Sequence, residues 1–176
     1  MSNATPPPAA ASGWFLSTSP RLRYATGAMS YFAQGIPMGL LHIALPAWLA
    51  TKGVAATEIA AFLGIIMLPW AFKLLVGPLM DHFEFLPMGK RRPWVLGAQF
   101  GMVVSLLALG LLDDPVAQIG LLTAIGFLIN AFTATQDVAV DGMSIDLVPL
   151  EEEGRLNAFM SFGKSIGWAA TSAVTG

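Results

Sequence analysis

Long apolar stretches separated by short polar links dominate the chain. The stretch from Trp94 to Leu112 carries no charged residue, and the stretch from Ala60 to Leu79 carries one. Each is about as long as the roughly 20 residues that an α-helix needs to cross about 30 Å of hydrocarbon. The pattern predicts five membrane-spanning helices, near residues 24–50, 58–80, 93–112, 116–146 and 155–176.

The links between these stretches are short, which bears on the fold. Short connections join helices that lie antiparallel and side by side. Strands of a transmembrane β-barrel would instead alternate apolar and polar residues over about ten positions, and the sequence shows no such alternation. The predicted fold class is therefore all-α, a polytopic transmembrane helical bundle of about five helices.

Composition supports a membrane location. Apolar residues make up 55% of the chain and charged residues 11%, whereas soluble domains carry about 25% charged residues. The chain therefore has too few charged residues to cover the surface of a water-soluble domain. The absence of cysteine excludes disulfides and cysteine nucleophiles. The sequence indicates no cofactor, metal site or nucleic-acid partner, and its predicted partner is the lipid bilayer.

The first 20 residues differ from the rest of the chain. They are rich in Pro, Ala, Ser and Thr and include three consecutive prolines. Because such a composition does not form a packed core, residues 1–20 are predicted to be a disordered segment. Residues 21–176 are predicted to form the membrane part. The segment has neither the basic start nor the apolar centre of a signal peptide.

Basic residues are distributed unequally between the two ends of the predicted helices. Lys and Arg are enriched in the cytoplasmic loops of membrane proteins. One side holds six of them and the other holds only Lys52. This distribution predicts a cytoplasmic N-terminus. The six residues on the predicted cytoplasmic side are Arg21, Arg23, Lys90, Arg91, Arg92 and Arg155.

Four ionisable residues are predicted to lie at a similar depth inside the helices, about 12–18 Å from one membrane surface at roughly 1.5 Å per residue. These residues are Lys73, Asp137, Asp141 and Lys164. Asp137 and Asp141 are four residues apart and share one helix face. Because isolated charges are costly in a membrane, we expect a network in the bundle interior that forms a solute or proton pathway with Gln34 and Gln136. Alternatively, the aspartates lie at the aqueous boundary and the lysines extend to water.

Three pairs of glycines have the G-x-x-x-G spacing that allows helices to approach closely. We predict a packing role for all three, which are Gly35/Gly39, Gly97/Gly101 and Gly163/Gly167. The first pair encloses Pro37. Proline removes a backbone donor and clashes with the preceding turn, so a kink is predicted there.

Two further features are given no functional role. Gly163-Lys-Ser-Ile-Gly167 matches the pattern around a hydrolase nucleophile, but Ser165 lies in an apolar helix and both histidines precede it. The protein is therefore predicted not to be an enzyme. Asp146 and the run Glu151–Glu153 are predicted to be solvated loop charges.

A motif lies in the link between the second and third predicted helices. Gly77-Pro-Leu-Met-Asp81 is followed by Gly89-Lys-Arg-Arg92, which resembles the loop between helices two and three of the major facilitator superfamily. Gln136-Asp-Val-Ala-Val-Asp141 is similar to the branch that contains the AmpG-type muropeptide permeases and the acetyl-coenzyme A transporters. His82 departs from the superfamily pattern, in which Arg usually follows the Asp directly.

The resemblance covers about Tyr24 to Gly176 and implies a secondary active transporter. Superfamily members have twelve or more helices in two halves that rock around a central site. This chain would then form part of the N-terminal half and lack the C-terminal half. The resemblance further implies proton-coupled uptake of a muropeptide or another anionic or sugar-containing metabolite, across the bacterial inner membrane.

The same resemblance implies that the motif forms a cytoplasmic gate loop. Asp81 would lie within reach of the basic triplet and hold the cytoplasmic side shut, whereas the alternative is an exposed ion pair without such a role. A non-transporting receptor or assembly subunit is the alternative function. Ionisable residues at membrane depth favour transport. The gate-loop residues are Gly77, Asp81, Gly89, Lys90, Arg91 and Arg92.

Overall fold

The computed structural model describes residues 16–83 and 89–174. Most of the segment predicted to be disordered lies outside these residues. Within them, a helix begins at Pro20, and the Ser19 side chain accepts a hydrogen bond from the backbone N–H of Leu22 at 3.4 Å. Proline is favourable at this position because its missing N–H would have no helical partner. The first helix therefore begins earlier than the predicted residue 24.

Helices dominate the described residues and confirm the predicted all-α fold class. They are α1 (Pro20–Gly39), a π-helical turn (Leu40–Ala44), α2 (Leu45–Thr51), α3 (Ala56–Ala71), α4 (Lys73–His82), α5 (Arg92–Gly110), α6 (Ile119–Leu147) and α7 (Leu150–Val174). We call α1, the π turn and α2 together the first span. The second span comprises α3 and α4, the third is α5 and the fourth is α6. The fifth helix is α7.

The four spans are long and apolar enough to cross a membrane. Large apolar side chains on their outer faces remain exposed, such as Leu74 at 84% and Leu111 at 81%. Exposed apolar surface of this kind is expected where helices meet lipid. The fifth helix has 25 residues, which is also long enough, but its sequence is less apolar. Span length and apolar outer faces together describe an integral membrane protein.

The fifth helix begins at Leu150, so the run Glu151–Glu153 lies in its first turn. Acidic side chains are favourable there because the helix dipole places partial positive charge at the N-terminus. Glu152 also forms a two-pronged ion pair with Arg23 of the first span, with contacts of 2.7 and 3.0 Å. Asp146 lies within the fourth span. These acidic residues therefore lie in helices and not in a loop, while Asp146 and Glu151 are exposed as predicted.

The first span is irregular between its two interior prolines. It continues as an α-helix through Pro37 and changes to π geometry at Leu40–Ala44, just before Pro46. Each proline lacks a backbone donor and crowds the turn before it. A wider helical turn between the two prolines accommodates both missing backbone hydrogen bonds. The irregularity lies a few residues beyond the predicted position, and the helix is not broken at Pro37.

Glycines allow the first span and the fifth helix to meet backbone to backbone. A Cβ atom at Gly35 would lie 2.3 Å from the carbonyl oxygen of Lys164, and one at Gly163 would lie 2.2 Å from that of Ala28. These distances leave no room for a side chain. The predicted packing role is confirmed for the Gly35/Gly39 and Gly163/Gly167 pairs.

The interior contains two apolar clusters with a polar layer between them. One cluster lies toward the end of the first span and includes Leu41, Leu49, Phe62, Ile66, Leu122 and Ile129. The other lies near the start of the fifth helix and includes Val140, Leu156 and Met160. The polar layer consists of residues that are at most 4% exposed as a whole: Gln34, Asn130, Thr133, Gln136 and Asp137.

We expect Gly35→Ala to destabilise the protein by about 1–3 kcal/mol. The new methyl group would clash with backbone atoms of the fifth helix, and relieving the clash would require the two helices to move apart. Thermal unfolding of the purified protein in detergent measures the change. Gly97→Ala is the matched control, since nothing lies within 4 Å of a Cβ atom at Gly97. Its Tm is expected to be unchanged or slightly higher. Equal Tm values for the two variants would contradict the proposed packing.

Candidate functional site

An ion pair joins the second and fourth spans inside the polar layer. The second span is interrupted at Phe72, and Lys73 begins its second segment. The Nζ atom of Lys73 donates a hydrogen bond to Oδ2 of Asp137. It also lies 3.9 Å from Oδ2 of Asp141. One lysine therefore faces both carboxylates, which share a helix face because they are four residues apart.

The two carboxylates differ in their access to water. The Asp137 side chain is 5% exposed, whereas that of Asp141 is 44% exposed. Asp141 borders a polar cavity of about 390 Å³ between the first span, the fourth span and the fifth helix. Its polar lining residues are Tyr31, Asp141, Ser144, Glu153 and Asn157. Asp137 is thus shielded, while Asp141 opens to the cavity.

The two glutamines predicted for the pathway have different surroundings. Gln34 donates a hydrogen bond from Nε2 to Oδ1 of Asp137 at 2.7 Å, and its buried Oε1 has no hydrogen-bond partner among the described residues. Gln136 donates instead to the backbone oxygen of Ser30 at 2.8 Å. Gln34 therefore belongs to the charged cluster, whereas Gln136 connects the first and fourth spans beside it.

Lys164 reaches the same region but contacts aromatic rings. Its Nζ lies 5.5 Å from the ring centroid of Tyr31 and 5.6 Å from that of Trp70. Both distances are within the range of cation–π attraction. The structure therefore brings Lys73 onto the two aspartates and Lys164 onto two rings beside them.

Sequence reasoning missed both rings. The Tyr31 hydroxyl donates to Oδ1 of Asp141 at 2.5 Å, and Trp70 donates from Nε1 to Oδ1 of Asn130 at 2.9 Å. A signal was available for Tyr31, because it lies three residues before Gln34 and therefore on the same helix face. Aromatic residues with a polar edge usually find a partner when buried, so a tyrosine inside an apolar stretch was a candidate.

The hinge between the second and third spans contains a second charged cluster. Nη2 of Arg91 lies 2.7 Å from Oδ1 of Asp81, and its Nε lies 3.6 Å from Oδ2 of Asp146. The guanidinium crosses the fourth span at Gly142, where a Cβ atom would lie 2.7 Å from Cζ of Arg91. Arg91 thus links the ends of the second and fourth spans.

The other predicted gate-loop residues lie around this cluster. Gly89 has a φ angle of +80°, which glycine adopts without strain. Lys90 and Arg92 are exposed, and Arg92 is the first residue of the third span. Gly77 lies within the second span, where a Cβ atom would lie 3.8 Å from the Val138 side chain. The middle of the hinge, residues 84–88, lies outside the described residues.

Residues 34–176 match the BT1 family. The chain belongs to the BT1 family. The matched region contains Gln34, the four charged residues at membrane depth and the hinge. Among named relatives, the anhydromuropeptide permease of Escherichia coli (strain K12) is 32% identical over 136 residues, which are 77% of this chain and 27% of the permease. The predicted resemblance to AmpG-type permeases is thereby confirmed.

Two other relatives match a similar share of the chain. An uncharacterized protein of Haemophilus influenzae is 35% identical over 127 residues, which are 72% of this chain and 29% of that protein. The putative transporter AmpG 4 of Rickettsia felis is 32% identical over 145 residues, which are 79% of this chain and 34% of that protein. The chain therefore matches only about a third of the length of these relatives, or less.

Two of these relatives are named as a permease and as a putative transporter. The described residues contain no group of three or more His, Asp or Glu side chains placed to hold a metal ion.

Proposed function

We propose that this BT1-family chain forms part of a proton-coupled secondary transporter. The observation that carries the proposal is the position of Lys73 between a shielded Asp137 and a cavity-facing Asp141. Ionisable residues inside membrane segments are rare and are typical of ion and proton pathways. The names of the E. coli and R. felis relatives support the transport role.

In the proposed cycle, Asp141 exchanges protons with water in the polar cavity, and Asp137 holds the proton while the solute crosses. Lys73 couples the two carboxylates. When one of them is protonated, the ammonium group of Lys73 is attracted more strongly to the other. Gln34 can form a hydrogen bond with Asp137 whether the carboxyl group is ionised or protonated. Rotation of its amide would turn the unpartnered Oε1 toward a protonated carboxyl, so that a hydrogen bond persists.

We propose that the solute is a muropeptide or another anionic or sugar-containing metabolite. The printed name of the E. coli relative, an anhydromuropeptide permease, supports this class. The solute would lie on the face of the bundle that carries the charged cluster. A C-terminal half, which the superfamily resemblance implies, would complete the site from the other side.

In the complete carrier, Asp137→Asn is expected to abolish uptake driven by a proton gradient and to spare solute exchange. Asparagine keeps the shape of the side chain but does not release a proton. Uptake and counterflow of an anhydromuropeptide in proteoliposomes measure the two activities separately. Asp113→Asn is the control, because this exposed aspartate lies at the other end of the bundle.

Uptake at the wild-type rate in Asp137→Asn would contradict proton exchange at this residue. Absence of counterflow in the wild-type carrier would instead favour a receptor or an assembly subunit.

We further propose that the N-terminus, the hinge and the start of the fifth helix face the cytoplasm of a bacterial inner membrane. The six-to-one bias of basic residues supports this orientation. The ion pairs Arg23–Glu152 and Arg91–Asp146 agree with it, because they hold these segments together at one end of the bundle.

Cysteine labelling tests the orientation in a chain that has no native cysteine. Lys90→Cys is expected to react with a membrane-impermeant maleimide in inside-out vesicles and not in intact cells. Lys52→Cys, at the other end of the first span, is expected to show the opposite behaviour. Labelling of Lys90→Cys in intact cells would reverse the proposed topology.

We also propose that the Asp81–Arg91 pair acts as a latch on the cytoplasmic side. In the complete carrier, Asp81→Asn is expected to favour the inward-open state, because Arg91 loses its 2.7 Å contact. The labelling rate of Ser144→Cys, which lines the polar cavity, should then rise several-fold from the cytoplasmic side. Glu58→Gln at the opposite end is the control. Unchanged labelling and transport would indicate an exposed ion pair without a gating role.

A further inference from the structure

Lys164 differs from the other charged residues at membrane depth in what surrounds it. Within residues 16–83 and 89–174, no carboxylate lies within ion-pair distance of its Nζ, and no hydrogen bond to a protein atom is formed. Its neighbours are instead the rings of Tyr31 and Trp70, at 5.5 and 5.6 Å. Lys73 also lies 5.7 Å from the Trp70 ring centroid, but it contacts the aspartates as well. A ring face attracts the ammonium charge but leaves its three N–H donors available.

Both rings are held in place by their polar edges. Trp70 donates at 2.9 Å to Asn130, which is 1% exposed. Tyr31 donates at 2.5 Å to Asp141. Each edge is anchored to the fourth span, and Lys164 of the fifth helix lies over both rings. The ammonium group of Lys164 is therefore positioned by two fixed surfaces and not by a flexible contact.

The nearby aspartates are already engaged by other groups. Asp137 receives hydrogen bonds from Lys73 and Gln34. Asp141 receives one from Tyr31 and lies 3.9 Å from Lys73. Direct contacts to both carboxylates therefore come from Lys73, Gln34 and Tyr31, and Lys164 acts on Asp141 only through charge at longer range. Lys164 is a cation in this layer, is held by two rings and has free N–H donors. It is therefore suited to bind an anionic group of a solute.

We propose that Lys164, Trp70 and Tyr31 form a binding site for a carboxylate group of the transported solute. The ammonium group of Lys164 would donate charge-assisted hydrogen bonds to the carboxylate. The faces of Trp70 and Tyr31 would cover the adjoining apolar or sugar-ring surface. The inference rests on the proposed transport function. The solute site adjoins the proton site, because Tyr31 donates to Asp141 and the Nζ of Lys73 lies 5.7 Å from the Trp70 ring centroid.

A cycle of protein and solute changes tests the site in the complete purified carrier. The probes are an anhydromuropeptide with free carboxylates and the same compound with its carboxylates converted to amides. Competition binding in detergent without a proton gradient measures both affinities. The wild-type protein is expected to prefer the carboxylate form by about tenfold or more. Lys164→Gln is expected to reduce this preference to near unity and to keep the affinity for the amide form.

Two further variants serve as controls. Lys164→Arg keeps the positive charge and is expected to keep most of the preference, which separates loss of charge from a folding defect. Lys52→Gln removes a similar contact elsewhere, since the Nζ of Lys52 lies 5.5 Å from the Trp48 ring centroid. It is expected to behave like the wild-type protein.

Three results would overturn the assignment: an unchanged preference in Lys164→Gln, equal wild-type affinities for the two probes, or no wild-type binding of either probe. Binding is measured without a gradient and therefore does not depend on proton coupling. If the Asp137→Asn experiment contradicted proton coupling, a carboxylate preference that depends on Lys164 would remain intact. The two proposals therefore fail separately.

Discussion

Burial of Asp137 is the constraint on which the arrangement of the other spans depends. A carboxylate that is 5% exposed within a membrane segment is strongly unfavourable unless opposite charge and hydrogen bonds compensate for lost water. Lys73 supplies the charge from the second span, and Gln34 supplies a hydrogen bond from the first. Because these partners come from different spans, satisfying one side chain sets the relative depth of three helices.

The glycine contact between the first span and the fifth helix places the remaining cation. Helices ordinarily pack with their axes 8–10 Å apart because side chains separate them. Here Gly35 faces the backbone at Lys164 directly. The close approach carries the Lys164 side chain onto Tyr31, whose hydroxyl is bonded to Asp141. Packing of small residues and placement of charge are therefore linked in this bundle.

The ion pairs at the hinge end have a different physical character from the pair in the polar layer. Asp81 is 57% exposed, so water and salt screen its contact with Arg91 and the net contribution to stability is small. Such a contact opens at little energetic cost, as the proposed latch requires. The Lys73–Asp137 pair is shielded, and separating it would leave a buried charge. The two clusters thus suit a movable end and a stable interior.

The sequence by itself determined the membrane class and the all-α fold with its series of long apolar helices. These properties follow from hydropathy and from a constant rise per residue, which are local. It did not determine which side chains meet. Lys164 was expected beside carboxylates and lies against rings, and Glu152 was expected in water and binds Arg23. Arg23 and Glu152 are 129 positions apart, and Lys73 and Asp137 are 64 positions apart. Only the tertiary structure decided these contacts, because helix rotation and separation depend on the packing of the whole bundle.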